Sequence, residues 1–234
     1  MMRVVYLHGF ASSPQSKKAR WFQERFAQKG IELEIPDLAN GDFEHLTISS
    51  QLQVIEQLCS GDPVTLMGSS MGGYLAALYA ARHPEVEQVI LMAPAFCFAK
   101  RSINMVGPHK FLQWRMSGST HMFHYGAGRE LPLRYDLIQD AQSYEDYPSF
   151  AQQALLFHGI HDQTVPWKLS QNFAARHNNA RLWLLDAGHE LTESLEIMWD
   201  TTLDFLGLEG SVCRSEEEWD AAPHRIGRAK PTVN

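Results

Sequence analysis

Short apolar runs rich in β-branched residues recur along this chain, and the stretches between them repeat at the helical period; that alternation restricts the fold more than any other feature. The runs Arg3–Leu7, Glu32–Ile35, Val64–Met67, Gln88–Met92, Ala154–Phe157 and Arg181–Leu185 predict strands, and patterns such as Lys17–Gln28 and Ile48–Cys59 predict helices between them. Strands separated by helices cannot close as tight hairpins and run parallel. "VTLM" and "VILM" are apolar on both faces, so both faces need a cover of helices. Right-handed crossovers then give an α/β fold, a three-layer doubly wound parallel sheet of about six strands. Hydrophobic residues make up 44 % of the 234 positions, enough for one full core at this size.

Two segments break the rhythm. Between Ala93 and Phe150 no strand pattern is found, yet Phe96, Phe98, Phe111, Trp114, Phe123, Tyr125, Tyr135, Tyr144 and Tyr147 fall there. A connection of that length in a compact domain is expected to be a functional insertion. Residues 97–150 are therefore assigned as a lid or cap, with Phe111, Trp114, Phe123 and Tyr125 lining an apolar substrate pocket; the competing reading is a satellite core. After Leu208 the chain turns polar, so the domain is expected to span 1–208 and residues 209–234 to form a flexible tail.

A net charge of -7 supplies no field for a phosphate backbone, and no nucleic-acid partner is expected. Cys59, Cys97 and Cys213 are too far apart for a metal knuckle or redox motif and read as reduced thiols. The apolar run Val4–Leu7 is too short for a signal core, and no run approaches about 18 apolar residues. The expectation is a cytoplasmic protein without membrane insertion; the sequence does not set its oligomeric state.

One passage joins a strand to a helix with no polar linker: "VTLMGSSMGGYLAALYAA", Val64–Ala81. Gly68-Ser69-Ser70-Met71-Gly72 fits G-x-S-x-G, which sets a serine on a tight strand-to-helix turn with glycines where a Cβ would collide across it. Chance can place such a pattern in any chain, but the apolar strand before it and the Ala-rich helix after it are the context the motif requires. Ser70 is thereby expected to project above the sheet edge, with a helix N-terminus aimed at the charge that develops there.

A serine hydroxyl is a weak nucleophile until a histidine takes its proton and a carboxylate orients that histidine. Downstream, "HGIHDQTVP" puts Asp162 just past one strand and "DAGH" puts His189 just past the next. Singly, Asp162 reads as a turn aspartate and His189 as a residue before a helix. Together with Ser70 they share the carboxyl edge of the sheet, which favours a catalytic Ser70, Asp162, His189 set. Asp186 and Glu190 lie too near His189 in sequence to reach round its ring. The first strand ends in His8-Gly9-Phe10, where the backbone N–H of Phe10 pairs with that of Met71 as an expected oxyanion hole. His8 is expected to brace loops. His121 and His124, three apart, lack a carboxylate or thiol pattern, so neither a metal nor a cofactor is expected.

His8-Gly9, Pro36-Asp37-Leu38, the elbow at Ser70, "HGIHDQTVP" and "AGH" together resemble the α/β-hydrolase superfamily over most of Arg3–Leu206. The opening "LHGFASSPQSKK" is similar to the YqiA-like group of small bacterial esterases. That resemblance implies an α/β-hydrolase fold lacking the amino-terminal hairpin, hence six strands, and cofactor-free hydrolysis of a small-molecule acyl ester or thioester. The alternative from another class is a non-catalytic or very slow ligand receptor or scaffold on the same fold.

Overall fold

The computed structural model describes residues 2–208, so the expected tail at 209–234 and Cys213 lie outside the described residues. The elements run β1 (Val4–Leu7), α1 (Lys17–Gln28), β2 (Leu33–Glu34), α2 (Ile48–Cys59), β3 (Val64–Ser69), α3 (Met71–Ala80), β4 (Val86–Met92), α4 (Phe98–Val106), α5 (Pro108–Ser117), β5 (Ser119–His124), β6 (Arg129–Arg134), α6 (Asp136–Ala141), β7 (Gln153–Gly159), α7 (Lys168–Ala174), β8 (Ala180–Leu185) and α8 (Leu195–Phe205). Six strands form one parallel sheet in the order β2-β1-β3-β4-β7-β8. The chain first winds from β1 to β2 and then returns to β3 on the other side of β1. Their carboxyl ends therefore open a crevice, the usual place for a site in such a sheet.

The period of two along each strand sorts its side chains onto two faces. Val5, Leu7, Leu66, Val89, Leu91 and Leu156 join α2, α3 and α7 in one core. Val4, Tyr6, Met67, Ile90, Met92 and Phe157 join α1 and α8 in the other. Phe26 of α1 meets Trp199 of α8 edge to face at 5.0 Å, closing the second layer. Every residue of α3 is buried, as a helix apolar all round must be. The helix expected after His189 starts at Leu195, after a 3₁₀ turn at Thr192–Ser194.

The connection between β4 and β7 differs from the strandless stretch expected. It holds α4, α5 and α6 and an antiparallel hairpin, β5–β6, that forms its own two-stranded sheet. Pro132 within β6 and the half-exposed alternation of β5 hide these strands from a hydrophobicity pattern. Two of the four expected pocket aromatics also prove to be elsewhere. Trp114 is only 2 % exposed, donates Nε1–H to the Leu133 carbonyl at 2.9 Å and packs edge-on against Tyr135. Phe111 packs against the same Tyr135 ring. Both join the core on that face of the sheet, Trp114 within it and Phe111 packed against it, because α5 turns them toward the hairpin and α6. His121 and His124 lie on β5, where residues three apart point to opposite faces and cannot share an ion.

Candidate active site

Ser70 sits between β3 and α3 with φ 54 and ψ -114, a left-handed conformation costing on the order of 1–3 kcal/mol for a residue with a Cβ. Backbone bonds hold it there. Its amide donates to the Met92 carbonyl at 2.8 Å, and its carbonyl accepts from Tyr74 at 3.1 Å and Ala95 at 3.0 Å. A Cβ at Gly68 would stand 2.2 Å from the Gly72 carbonyl oxygen, and one at Gly72 would stand 2.0 Å from that of Leu7. The turn therefore admits glycine alone at both places, and α3 can press against β1.

The Ser70 hydroxyl lies 3.0 Å from His189 Nε2, and His189 Nδ1 lies 2.6 Å from Asp162 Oδ2. Asp162 Oδ1 accepts from the Thr164 and Val165 amides, both at 2.8 Å, so the carboxylate cannot swing away from the imidazole. Burial opposes ionisation of Asp162, but hydrogen bonds from His158, His189 and the Val165 amide outweigh it and hold the carboxyl below the usual range. The loops carrying Asp162 and His189 meet because β7 ends in glycine: a Cβ at Gly159 would fall 2.2 Å from the Ala187 carbonyl oxygen. The two neighbouring acids are engaged elsewhere or turned outward. Asp186 pairs with His161 at 2.8 Å, and Glu190 is exposed.

Phe10 lines the cleft beside Gly9, at which a Cβ would stand 3.5 Å from Ser70 Cβ. Met71 opens α3, where first-turn amides have no partner within the helix. His8 ties the loops after β1 and β2: its Nε2 accepts from the Leu38 amide at 3.3 Å, its Nδ1–H faces the Gly9 carbonyl, and burial pushes the imidazole pKa down. The cleft measures about 1230 Å³ and extends from this edge to Met105, Met122, Phe123 and Tyr125 of the connection. The hairpin tip closes on the β1–α1 loop through the Tyr125 amide, which donates to the Ala11 carbonyl at 2.7 Å.

Two residues in contact with this arrangement were not singled out from sequence. His158 is fully buried behind Asp162, its Nε2 3.1 Å from Oδ2 and 2.9 Å from the Val165 carbonyl, its Nδ1 2.7 Å from the Ser170 hydroxyl. Two acceptors at Nε2 place the proton there and leave Nδ1 to accept from Ser170. A histidine inside an apolar strand, four residues before the acid, was the available signal. Lys18, 5 % exposed, donates to Ser69 Oγ at 3.0 Å. Its signal was its place on the buried stripe of α1, in step with Phe22 and Phe26. Among the described residues there is no cluster suited to a metal ion, and no helix long and apolar enough to cross a membrane.

A parallel six-stranded sheet with helices on both faces and a serine elbow at its carboxyl edge is the arrangement of the α/β-hydrolase fold. The same fold is found in alpha/beta hydrolase domain-containing protein 10 from mouse, with TM-score 0.74 and 19 % identity over 87 % of this chain and 89 % of that one. Est1E from Butyrivibrio proteoclasticus with ferulic acid bound matches with TM-score 0.74 and 18 % identity over 88 % of each chain. A putative hydrolase from Agrobacterium vitis S4 matches with TM-score 0.70 and 21 % identity over 86 % of each. The chain itself belongs to the uncharacterised protein family UPF0227, whose model matches residues 3–206.

Proposed function

We propose that this protein is a serine hydrolase of carboxylic esters or thioesters, acting through an acyl-enzyme. The observation that carries the reading is the unbroken line of hydrogen bonds from the Ser70 hydroxyl through both nitrogens of His189 to Asp162. In this reading His189 takes the Ser70 proton as Ser70 Oγ attacks the substrate carbonyl carbon, and the amides of Phe10 and Met71 receive the oxyanion. The tetrahedral intermediate collapses, the bond to the leaving group breaks, and His189 returns the proton to it. Water then attacks the acyl-serine with the same proton transfers and frees the acid. Asp162 keeps the His189 proton on Nδ1 in the resting state, so that Nε2 is the base. No cofactor is needed for any of these steps. Residues 97–150 act as a cap, and Phe123 and Tyr125 contact the acyl chain.

A fluorophosphonate probe with peptide mapping, run beside a chromogenic butyrate ester, tests this. Wild type is expected to turn over the ester and to carry one label on Ser70; Ser70→Ala is expected to lose both while keeping its thermal midpoint. Folded wild-type protein with neither turnover nor label would refute the hydrolase and favour a receptor.

A further inference from the structure

Besides its apolar residues, the cleft is lined by the polar side chains of Tyr6, Lys18, Ser69, Glu190 and Thr192. Lys18 is the unusual one among them. An ammonium has three N–H donors, and a buried cation ordinarily has a carboxylate against it. Here the nitrogen has Ser69 Oγ as its hydrogen-bond partner and, among the described residues, no carboxylate within ion-pair distance. Asp162, Glu190 and Glu193 act on it only from farther off. Nothing in the line from Ser70 to Asp162 requires a charge at this point, and burying one is costly. A buried, incompletely paired cation on a cleft wall, bonded to the residue just before the candidate nucleophile, is completed by an anion that arrives with the ligand.

We infer that Lys18 is a specificity-determining residue that receives a carboxylate carried by the leaving-group side of the substrate. The inference rests on the ester-hydrolase reading. The leaving group is placed on this side because His189 must protonate it, and Glu190 and Thr192, from the His189 loop, line the same part of the cleft. A monoanion suits the place better than a phosphate dianion, since the three carboxylates nearby penalise a second negative charge.

The test compares kcat/KM for 4-nitrophenyl butyrate and for its ring-carboxylated analogue, 3-carboxy-4-nitrophenyl butyrate, which share an acyl group and differ in charge. Wild type is expected to prefer the anionic ester, and Lys18→Met to reduce that preference roughly ten- to a hundredfold. The neutral ester reports the fraction of competent enzyme in each preparation, so partial misfolding cancels in the ratio. Wild type also decides without a mutation. Burial lowers the Lys18 pKa to about 8, so the preference should fall as pH rises through that value. The charged groups acting on Lys18 are Glu190 and Glu193 beyond β8 and Asp162 beyond β7, and Tyr6 of β1 shares the Ser69 hydroxyl with it. Any change in the acyl-transfer machinery that the two esters share affects both alike and divides out.

A preference unchanged in Lys18→Met, or flat from pH 7 to 9.5 should that variant be inactive, overturns the inference while leaving the hydrolase reading intact. If wild type hydrolyses neither ester, the hydrolase reading fails, and calorimetric titration of wild type and Lys18→Met with benzoate decides the anion site by itself. Equal benzoate binding by the two proteins, or tighter binding of phenyl phosphate than of benzoate, would sink it.

Discussion

Two imidazoles converge on one oxygen of Asp162, and they do so with different consequences. His189 reaches Oδ2 from the cleft side, half-buried, while His158 reaches the same atom from the core. The other oxygen is taken by two amides, so every lone pair that could let the carboxylate rotate is occupied. Replacing the acid by its amide is therefore expected to leave the geometry in place but favour the wrong His189 tautomer. Asp162→Asn should lower kcat by roughly two to four orders of magnitude with little change in KM, whereas Asp186→Asn and Glu190→Gln should cost far less. Steady-state kinetics on a neutral ester measures this; a crippled Asp186→Asn beside a healthy Asp162→Asn would reverse the assignment of the acid. Ser70, Asp162 and His189 were legible in the sequence because each lies immediately past an apolar strand, and parallel strands share one carboxyl edge. His158 was not, since a single polar residue within an apolar run reads as noise until its neighbours are known, nor was Lys18, since a lysine in a charged helix reads as a solvated position until the buried stripe of that helix is placed.

At the scale of elements, the parallel strands were legible because burial on both faces leaves unbroken apolar runs. The β5–β6 hairpin was not: it has solvent on one side, Pro132 in one strand and no third strand to support it. Its stability comes from what it leans on, chiefly Trp114 of α5, which bonds its Leu133 carbonyl, and the β1–α1 loop at its tip. Trp114→Ala is expected to cost roughly 3–5 kcal/mol by urea denaturation, from lost burial and the orphaned Leu133 carbonyl, with activity per folded molecule largely kept. Phe123 and Tyr125, 48 % and 75 % exposed, have little packing to lose. Phe123→Ala and Tyr125→Ala should shift stability by under about 0.5 kcal/mol but flatten the dependence of kcat/KM on acyl length. Unchanged chain-length profiles in both variants would count against the hairpin as a wall for the acyl group.

For the whole molecule, Asp162 and Lys18 each make stability rise with pH, one at the acidic end of the scale and the other at the alkaline end. Hydrogen bonds depress the Asp162 pKa in the folded state, so its contribution is present above the unfolded value, about 3.9, and is lost as pH falls below it toward the folded one. Lys18 also has a lowered folded pKa but from a different cause, burial that penalises its charged form: it drops to about 8 from 10.5. Between those two values the unfolded chain binds more protons than the folded one, so stability rises with pH across that window. Below pH 8 the full cost of the buried ammonium is present. Removing the charge should therefore stabilise the fold at neutral pH by roughly 1–3 kcal/mol, the desolvation cost less the hydrogen bond to Ser69. Lys18→Met is expected to raise the thermal midpoint at pH 7 by several degrees, with the advantage over wild type shrinking toward pH 10. A merely structural lysine behaves otherwise, its loss lowering the midpoint at every pH. A lower midpoint for Lys18→Met at pH 7 would mean that the Ser69 bond outweighs desolvation, and that the fold keeps this cation for its own support rather than for a ligand.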